Sequence, residues 1–270
     1  MKIGQIKKST NAATSTSAAQ RIVLRLACGA LAIGAAACAS LDSAFAPPPE
    51  QVQAASLSAW QGIKNQQQIS SDPRYVSRMQ RVAPRVIRAA GGDPAQWEVQ
   101  VFQSDQLNAF ALPGGKIGFY TGILDLMEND DQIAAVMGHE VAHVKYDHAA
   151  KRAGRAAQTQ FGLGLAAAGL SGSQNANLWM QALGLGVTVG NALPFSREHE
   201  LEADREGLKY MAVAGYNPNE AVRFWEKMGA ANNGSAPPEF LSTHPGSGTR
   251  IQQLKEEIQR MSAEGAQAGS

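Results

Sequence analysis

A chain of 270 residues with 44% hydrophobic and 17% charged residues is long enough to bury a core and too apolar to stay disordered. Its net charge of +1 is unevenly spread, because residues 1–37 carry five basic residues and no acid, which leaves the remainder net acidic. That balance argues against a general nucleic-acid surface on the folded part.

The basic start (Lys2, Lys7, Lys8, Arg21, Arg25) leads into an apolar run from Leu26 to Ala39, the pattern of a secretory signal. Arg25 keeps that run shorter than the roughly 20 apolar residues of a membrane span. Both cysteines, Cys28 and Cys38, fall here, so the folded part has no disulfide. Ala35-Ala36-Ala37 before Cys38 resembles a bacterial lipobox. Cleavage there gives a signal peptide over 1–37 and a lipidated Cys38, while ordinary cleavage after Ala39 is the alternative. Residues 38–53, with Pro47-Pro48-Pro49, read as a stiff tether.

Helical spacing of Leu57, Trp60 and Ile63/Lys64 predicts a first helix over 54–68. Asp72-Pro73 reads as an N-cap and first helical position, opening a helix with Tyr75, Met79, Val82, Val86 and Ile87 on one face. That helix ends at Gly91-Gly92 and should be kinked by Pro84. Trp97 to Phe102 alternates as a half-buried strand. Two short extended runs around Pro113-Gly114-Gly115 predict a hairpin. Asn129-x-x-Gln132 is a capping-box variant that opens a deeply buried helix, expected to run to about Arg152 and close at Gly154. Residues 155–193 are rich in Ala, Gly and Leu, in two apolar halves each too short to span a bilayer; they read as a helical hairpin on the core, with a lid or flap as the second reading. Ser196 caps a helix from Arg197 to Ala214, Asn217-Pro218-Asn219-Glu220 starts another to about Ala230, and a last amphipathic helix covers about Thr249 to Met261. The tail from Ala263 reads as frayed. The folded domain is expected over 54–262, with a flexible tail over 263–270.

The buried helix carries "HEVAHVKYDH". His139 and His143, four apart, share one helix face and can converge on one ion at about 2.0–2.1 Å. Glu140, offset around the helix, can reach a metal-bound water without ligating. This is the H-E-x-x-H pattern of zinc peptidases, expected by chance in on the order of one chain in a hundred. A third protein ligand is needed. In "SREHELEAD", Glu200 and Asp204 lie four apart; Glu200 can ligate, and Asp204 can accept the outer N–H of a ligating histidine. Glu198 and Glu202 point elsewhere and read as solvated or paired with Arg197 or Arg205. Taken alone, this second helix would read as a salt-bridged surface helix.

Together "HEVAHVKYDH", "SREHELEAD", "STHPGSGTRI" and "NAFALPGGKIGFYTGIL" resemble the gluzincin-type zinc metallopeptidase family of the CAAX prenyl protease, HtpX, BepA and LoiP. The resemblance runs from about Trp97 to Gln259 and implies a compact periplasmic or lipoprotein member without tetratricopeptide repeats. It implies an α+β, mainly helical, zincin-like fold: an H-E-x-x-H helix, a Glu-bearing second helix and a small hairpin over the cleft. It implies one Zn2+ per chain held by His139, His143 and Glu200, with Glu140 as catalytic base and Asp204 behind the ligands. His244, in a Pro-containing loop, is read as an oxyanion donor, as a group closing the open position, or as a plain surface histidine. Arg250 is read as tying that loop to the site. His148 reads as capping or packing, and His199 as facing away. Asn108, Ala109, Phe110 and Ala111 are candidates for an edge strand that pairs with substrate backbone; a purely structural hairpin is the other reading. The expected function is a zinc metalloendopeptidase acting on extended or unfolded polypeptide, in quality control of envelope proteins. Expected partners include outer-membrane proteins or their assembly machinery, and the expected place is the periplasm, anchored to the outer membrane by lipid. The alternative is a self-inhibited zinc protein acting as a binding or chaperone-like assembly factor.

Overall fold

The structure, a computed structural model, describes residues 47–164, 194–231, 239–245 and 248–268. The predicted signal, Cys38, and the apolar stretch from 165 to 193 lie outside them.

The helix α1 (Pro49–Gln66) begins inside the segment read as a tether, with proline at its first position, where a missing N–H costs nothing. Its buried stripe is Val52, Ser56 and Trp60 rather than one through Leu57, which is half exposed. Trp60 instead faces a second, smaller core made with Phe102, Phe110 and Tyr120 on one side of the sheet. The helix α2 (Pro73–Ala89) is capped by the Asp72 carboxylate, which accepts from the Arg74 N–H. Its predicted face is buried throughout, and Pro84 lies inside one continuous helix. Val82, Val86 and Ile87 are almost fully enclosed, each worth about 1.5–3 kcal/mol of transfer free energy.

The three strands β1 (Glu98–Phe102), β2 (Ala109–Leu112) and β3 (Lys116–Tyr120) form one sheet in the order β1-β3-β2. β1 runs parallel to β3, and β2 is the antiparallel partner of β3, turned by Gly114 and Gly115 in the left-handed region. β2 is therefore an edge of the sheet. A short helix α3 (Thr121–Leu126) follows β3 and delivers the chain to the central helix α4 (Asp130–Lys145).

Asn129 caps α4 by accepting from the Gln132 N–H, and the Gln132 side chain accepts in return from the Glu128 N–H. Every residue from Gln132 to His143 is buried, because α2, β2 and the later helices over Arg197–Val213 and Asn219–Ala230 pack around α4. The helix stops earlier than its apolar pattern predicts. Tyr146 leaves the helix, Asp147 takes the left-handed conformation at φ 52°, and a separate helix α5 (His148–Gly164) starts there. The hydrophobic pattern crosses this break without interruption, so periodicity alone could not reveal it.

Ser196 caps α6 (Arg197–Val213) through the His199 N–H, and Gly215 in the left-handed region ends the turn after it. α7 (Asn219–Ala230), the short α8 (Glu239–Thr243) and α9 (Gly248–Ala268) complete the described elements. α9 continues through the segment expected to fray. Among the described residues no helix is long and apolar enough to cross a membrane. The result is a mainly helical α+β architecture with a small three-stranded sheet, as expected.

Candidate metal centre

Two helices bring the donors together. α4 and α6 touch backbone to backbone where Gly138 faces Gly207: a side-chain carbon on Gly138 would lie 2.6 Å from the Gly207 carbonyl oxygen. This approach sets the first turns of α6 beside the middle of α4. His139 Nε2 and His143 Nε2 lie 2.9 Å apart. The Glu200 carboxylate is 3.5 Å from the first and 3.4 Å from the second. His244 joins them, its Nδ1 3.1 Å from both His139 Nε2 and Glu200 Oε1. One donor atom from each of His139, His143, Glu200 and His244 falls within 4.8 Å of the others, and all four residues are buried.

His244 reaches the cluster through a stack of rings. It tilts against Phe240 at 4.6 Å, Phe240 stacks on Trp225 at 5.5 Å, and the Arg250 guanidinium covers Trp225 at 3.6 Å. His244 is therefore neither an exposed histidine nor a remote one. Phe195 closes the other side: its ring lies flat on His143 at 4.0 Å, the Arg152 guanidinium covers it at 3.9 Å, and its N–H donates to the Thr243 carbonyl.

Behind the ligand face, His139 Nδ1 meets Asp204 Oδ1 at 2.9 Å. Arg250 holds Asp204 through two donors, at 2.6 and 2.5 Å, and pairs with Glu200 at 2.9 Å. The expected link between Arg250 and the site is thus a pair of buried ion contacts. An ionised carboxylate only accepts, so the shared proton sits on His139 Nδ1 and leaves Nε2 with a lone pair.

The arrangement suits a cation. A bare His139 Nε2 converges with an imidazole nitrogen at 2.9 Å and a carboxylate at 3.5 Å, and a positive charge placed among these groups would be held by all of them. Glu140 is almost fully enclosed, and its Oε1, 3.5 Å from His244 Nε2, has no hydrogen-bond partner. Nitrogen and oxygen donors in this number match zinc. The electrostatics agree. Burial would raise the Glu200 carboxyl, but His244, Arg250 and His139 hold it well below the usual range. Burial and then His139 push the His143 imidazole well below its ordinary value, which keeps its lone pair. Burial raises the Glu140 carboxyl, against the opposing pull of His244 and His139.

Three residues given minor parts in the sequence, His148, Glu202 and His199, pack against this centre. His148 packs its Nδ1 2.9 Å from His143 Nδ1, and Glu202 contacts His148 rather than Arg197 or Arg205. Glu198 does stay exposed, 3.7 Å from Arg155. His199 is buried, stacks on His148 and is not among the clustered donors. The unusual share of histidines in the segments 139–148 and 199 was the available signal.

A donor cluster on an H-E-x-x-H helix, completed by a carboxylate from a second helix and flanked by a small sheet, defines a zincin-like metalloprotein. The profile of peptidase family M48 matches residues 73–258, and the chain belongs to that family of zinc metallopeptidases. It is 38% identical over 183 residues to the Schizosaccharomyces pombe "Mitochondrial metalloendopeptidase OMA1", covering 67% of this chain and 52% of that protein. It is 31% identical over 211 residues to the Bos taurus "Metalloendopeptidase OMA1, mitochondrial", covering 73% of this chain and 40% of that one. The "Beta-barrel assembly-enhancing protease" of Escherichia coli K12 is 26% identical over 199 residues, covering 71% of this chain and 40% of its own length. The chain thus spans about half or less of the length of these curated relatives.

Proposed function

We propose that the protein is a zinc-dependent endopeptidase in which His139, His143 and Glu200 hold the ion and Glu140 is the general base. The observation that carries this is the convergence of those three donors, from two separate helices, beside a buried carboxylate with an unpartnered oxygen. When bound, zinc supplies Lewis acidity toward water and the scissile carbonyl. Glu140 takes the proton of the attacking water and returns it to the leaving amine, a role that a carboxyl raised by burial suits. Asp204 and Arg250 hold the His139 ring and the Glu200 carboxylate in place. His244 occupies the fourth donor place and keeps the resting enzyme shut, because every member of the cluster is sealed from solvent.

The outer edge of β2, paired by no strand among the described residues, receives an extended peptide by backbone pairing, giving affinity with little sequence demand. Asn108, Ala109, Phe110 and Ala111 line it. Asn108 supports the reading, since both atoms of its buried side-chain amide lack partners. Substrates are extended or unfolded polypeptides. The finer assignment is quality control of envelope proteins in a bacterial periplasm, including proteins of the outer membrane, with Cys38 as a lipid anchor. Its support is the basic-then-apolar start, the small residues before Cys38 and the likeness to a β-barrel assembly-enhancing protease. The mass of the mature N-terminus tests the anchor.

The decisive experiment compares wild type with Glu140→Gln, purified without chelators. Elemental analysis should find one zinc per chain in both. Cleavage of an unfolded polypeptide should fall by about 10²–10⁴-fold in the variant. Unchanged cleavage in Glu140→Gln overturns the base assignment, and a wild type without zinc overturns the whole reading.

A further inference from the structure

His139 has a clear outer partner in Asp204, whereas the outer nitrogen of His143 points to no carboxylate. It meets another imidazole: His143 Nδ1 lies 2.9 Å from His148 Nδ1. The far nitrogen of that ring, His148 Nε2, lies 2.9 Å from Glu202 Oε2.

The proton positions along this chain follow from its far end. The ionised Glu202 carboxylate can only accept, so His148 Nε2 carries the hydrogen and donates it. A neutral imidazole has one N–H, so His148 Nδ1 is then the acceptor and His143 Nδ1 must donate. His143 Nε2 is left bare, turned toward His139 and Glu200. A carboxylate outside the donor cluster thereby selects which nitrogen of His143 faces the ion.

The geometry is built rather than incidental. On an uninterrupted helix, position 148 would stand five residues past His143 and well around the barrel of the helix from it. The left-handed backbone at Asp147 breaks the helix and turns the His148 ring back onto His143. His199 then stacks on His148 at 4.4 Å and 14°, fixing its plane, and His148 is fully buried. Helix α6 grips His143 from both sides, by Glu200 at one nitrogen and by Glu202 through His148 at the other.

We propose that His148 and Glu202 are positioning residues that hold the tautomer and orientation of His143 for zinc, as Asp204 does for His139. The inference rests on the zinc-site reading above. The plain structural rival is a contact that merely ties α5 to α6, with no effect on the ion.

The test measures the zinc dissociation constant of the full-length protein by competition with a chromophoric chelator. It also reads the His143 tautomer in the zinc-free protein by long-range 1H–15N NMR. Replacing His148 by alanine should weaken zinc binding on the order of 10–100-fold. Glu202→Ala should weaken it in the same direction and leave His143 as a mixture of tautomers. Glu202→Gln, whose carbonyl oxygen still accepts from His148 Nε2, should recover most of the affinity. Glu198→Ala, an exposed carboxylate on the same helix, should bind as wild type does. Equal zinc affinity in wild type, His148→Ala and Glu202→Ala overturns the relay while leaving the zinc centre intact. So does a loss in Glu202→Ala that glutamine fails to recover, with the His143 tautomer unchanged. A wild type that binds no zinc removes the centre itself and the relay with it.

Discussion

Gly207 leaves no room for a side chain: a carbon added there would lie 2.8 Å from the backbone nitrogen of His139, and one added to Gly138 would lie 2.6 Å from the Gly207 carbonyl oxygen. The two glycines are the reason α4 and α6 can meet at backbone distance, and hence the reason Glu200 reaches two histidines on another helix.

Replacing Gly207 by alanine should therefore separate the helices even though alanine is the better helix former by about 1 kcal/mol. The atoms in the way are backbone and cannot step aside. A net loss of about 1–3 kcal/mol is expected in denaturant unfolding of the zinc-free protein. Zinc content after dialysis should fall as well. A more stable variant with full zinc would show that the approach is looser than described.

His244→Ala separates a resting clamp from a transition-state donor. The residue contacts His139, Glu200 and Glu140 in the closed site. Its removal should raise turnover of an unfolded polypeptide by up to about tenfold, the equivalent of ~1.4 kcal/mol of resting-state contacts. A collapse of turnover with zinc retained would assign it to oxyanion stabilisation instead.

Asp147 should tolerate glycine or asparagine and reject valine. A β-branched residue in the left-handed region costs about 1–2 kcal/mol, whereas glycine adopts it without penalty. Thermal unfolding of Asp147→Gly and Asp147→Val checks the difference, with Asp147→Gly expected near wild type and Asp147→Val lower.

Acid should destabilise the zinc-free protein before its carboxylates matter. Burial pushes the His148 imidazole down to about 4 and His199 to about 3, and it holds His143 well below its ordinary 6.5. Between pH 6.5 and about 4 the unfolded chain takes up protons that these three native side chains refuse, so stability rises with pH across that window. Glu140 acts in the opposite direction, since its raised carboxyl binds a proton in the native state first. The three imidazoles, joined at the acid end of the window by the lowered Glu200 carboxyl, should outweigh Glu140 and leave a positive slope. Unfolding free energies at pH 6.5, 5.5 and 4.5 measure it, and a flat profile would argue that these imidazoles are not sealed.

Much of the centre was legible because its rules are local. His139 and His143 share a face by helix period, and the spacing of Glu200 and Asp204 marks a second such face. The caps at Asp72, Asn129 and Ser196 come from side chains one turn from the groups they satisfy. What stayed hidden depends on distant contacts. The break after Lys145 follows no hydrophobic signal, since Asp147 is an ordinary residue in an unusual conformation. Glu202 found His148 instead of a neighbouring arginine because that break moved the ring toward it. Leu57 lost its expected place because Trp60 chose the aromatic face of the sheet, which rotated the stripe to Val52 and Ser56.

All four donors of the cluster lie almost wholly out of reach of water, at 2–4% exposure. An ion seated among them leaves only when the surrounding walls part, so its escape rate reports how often the protein breathes at this spot, whatever the strength of the chelator outside. Radioactive zinc exchange then becomes a clock for the opening that any polypeptide must also await.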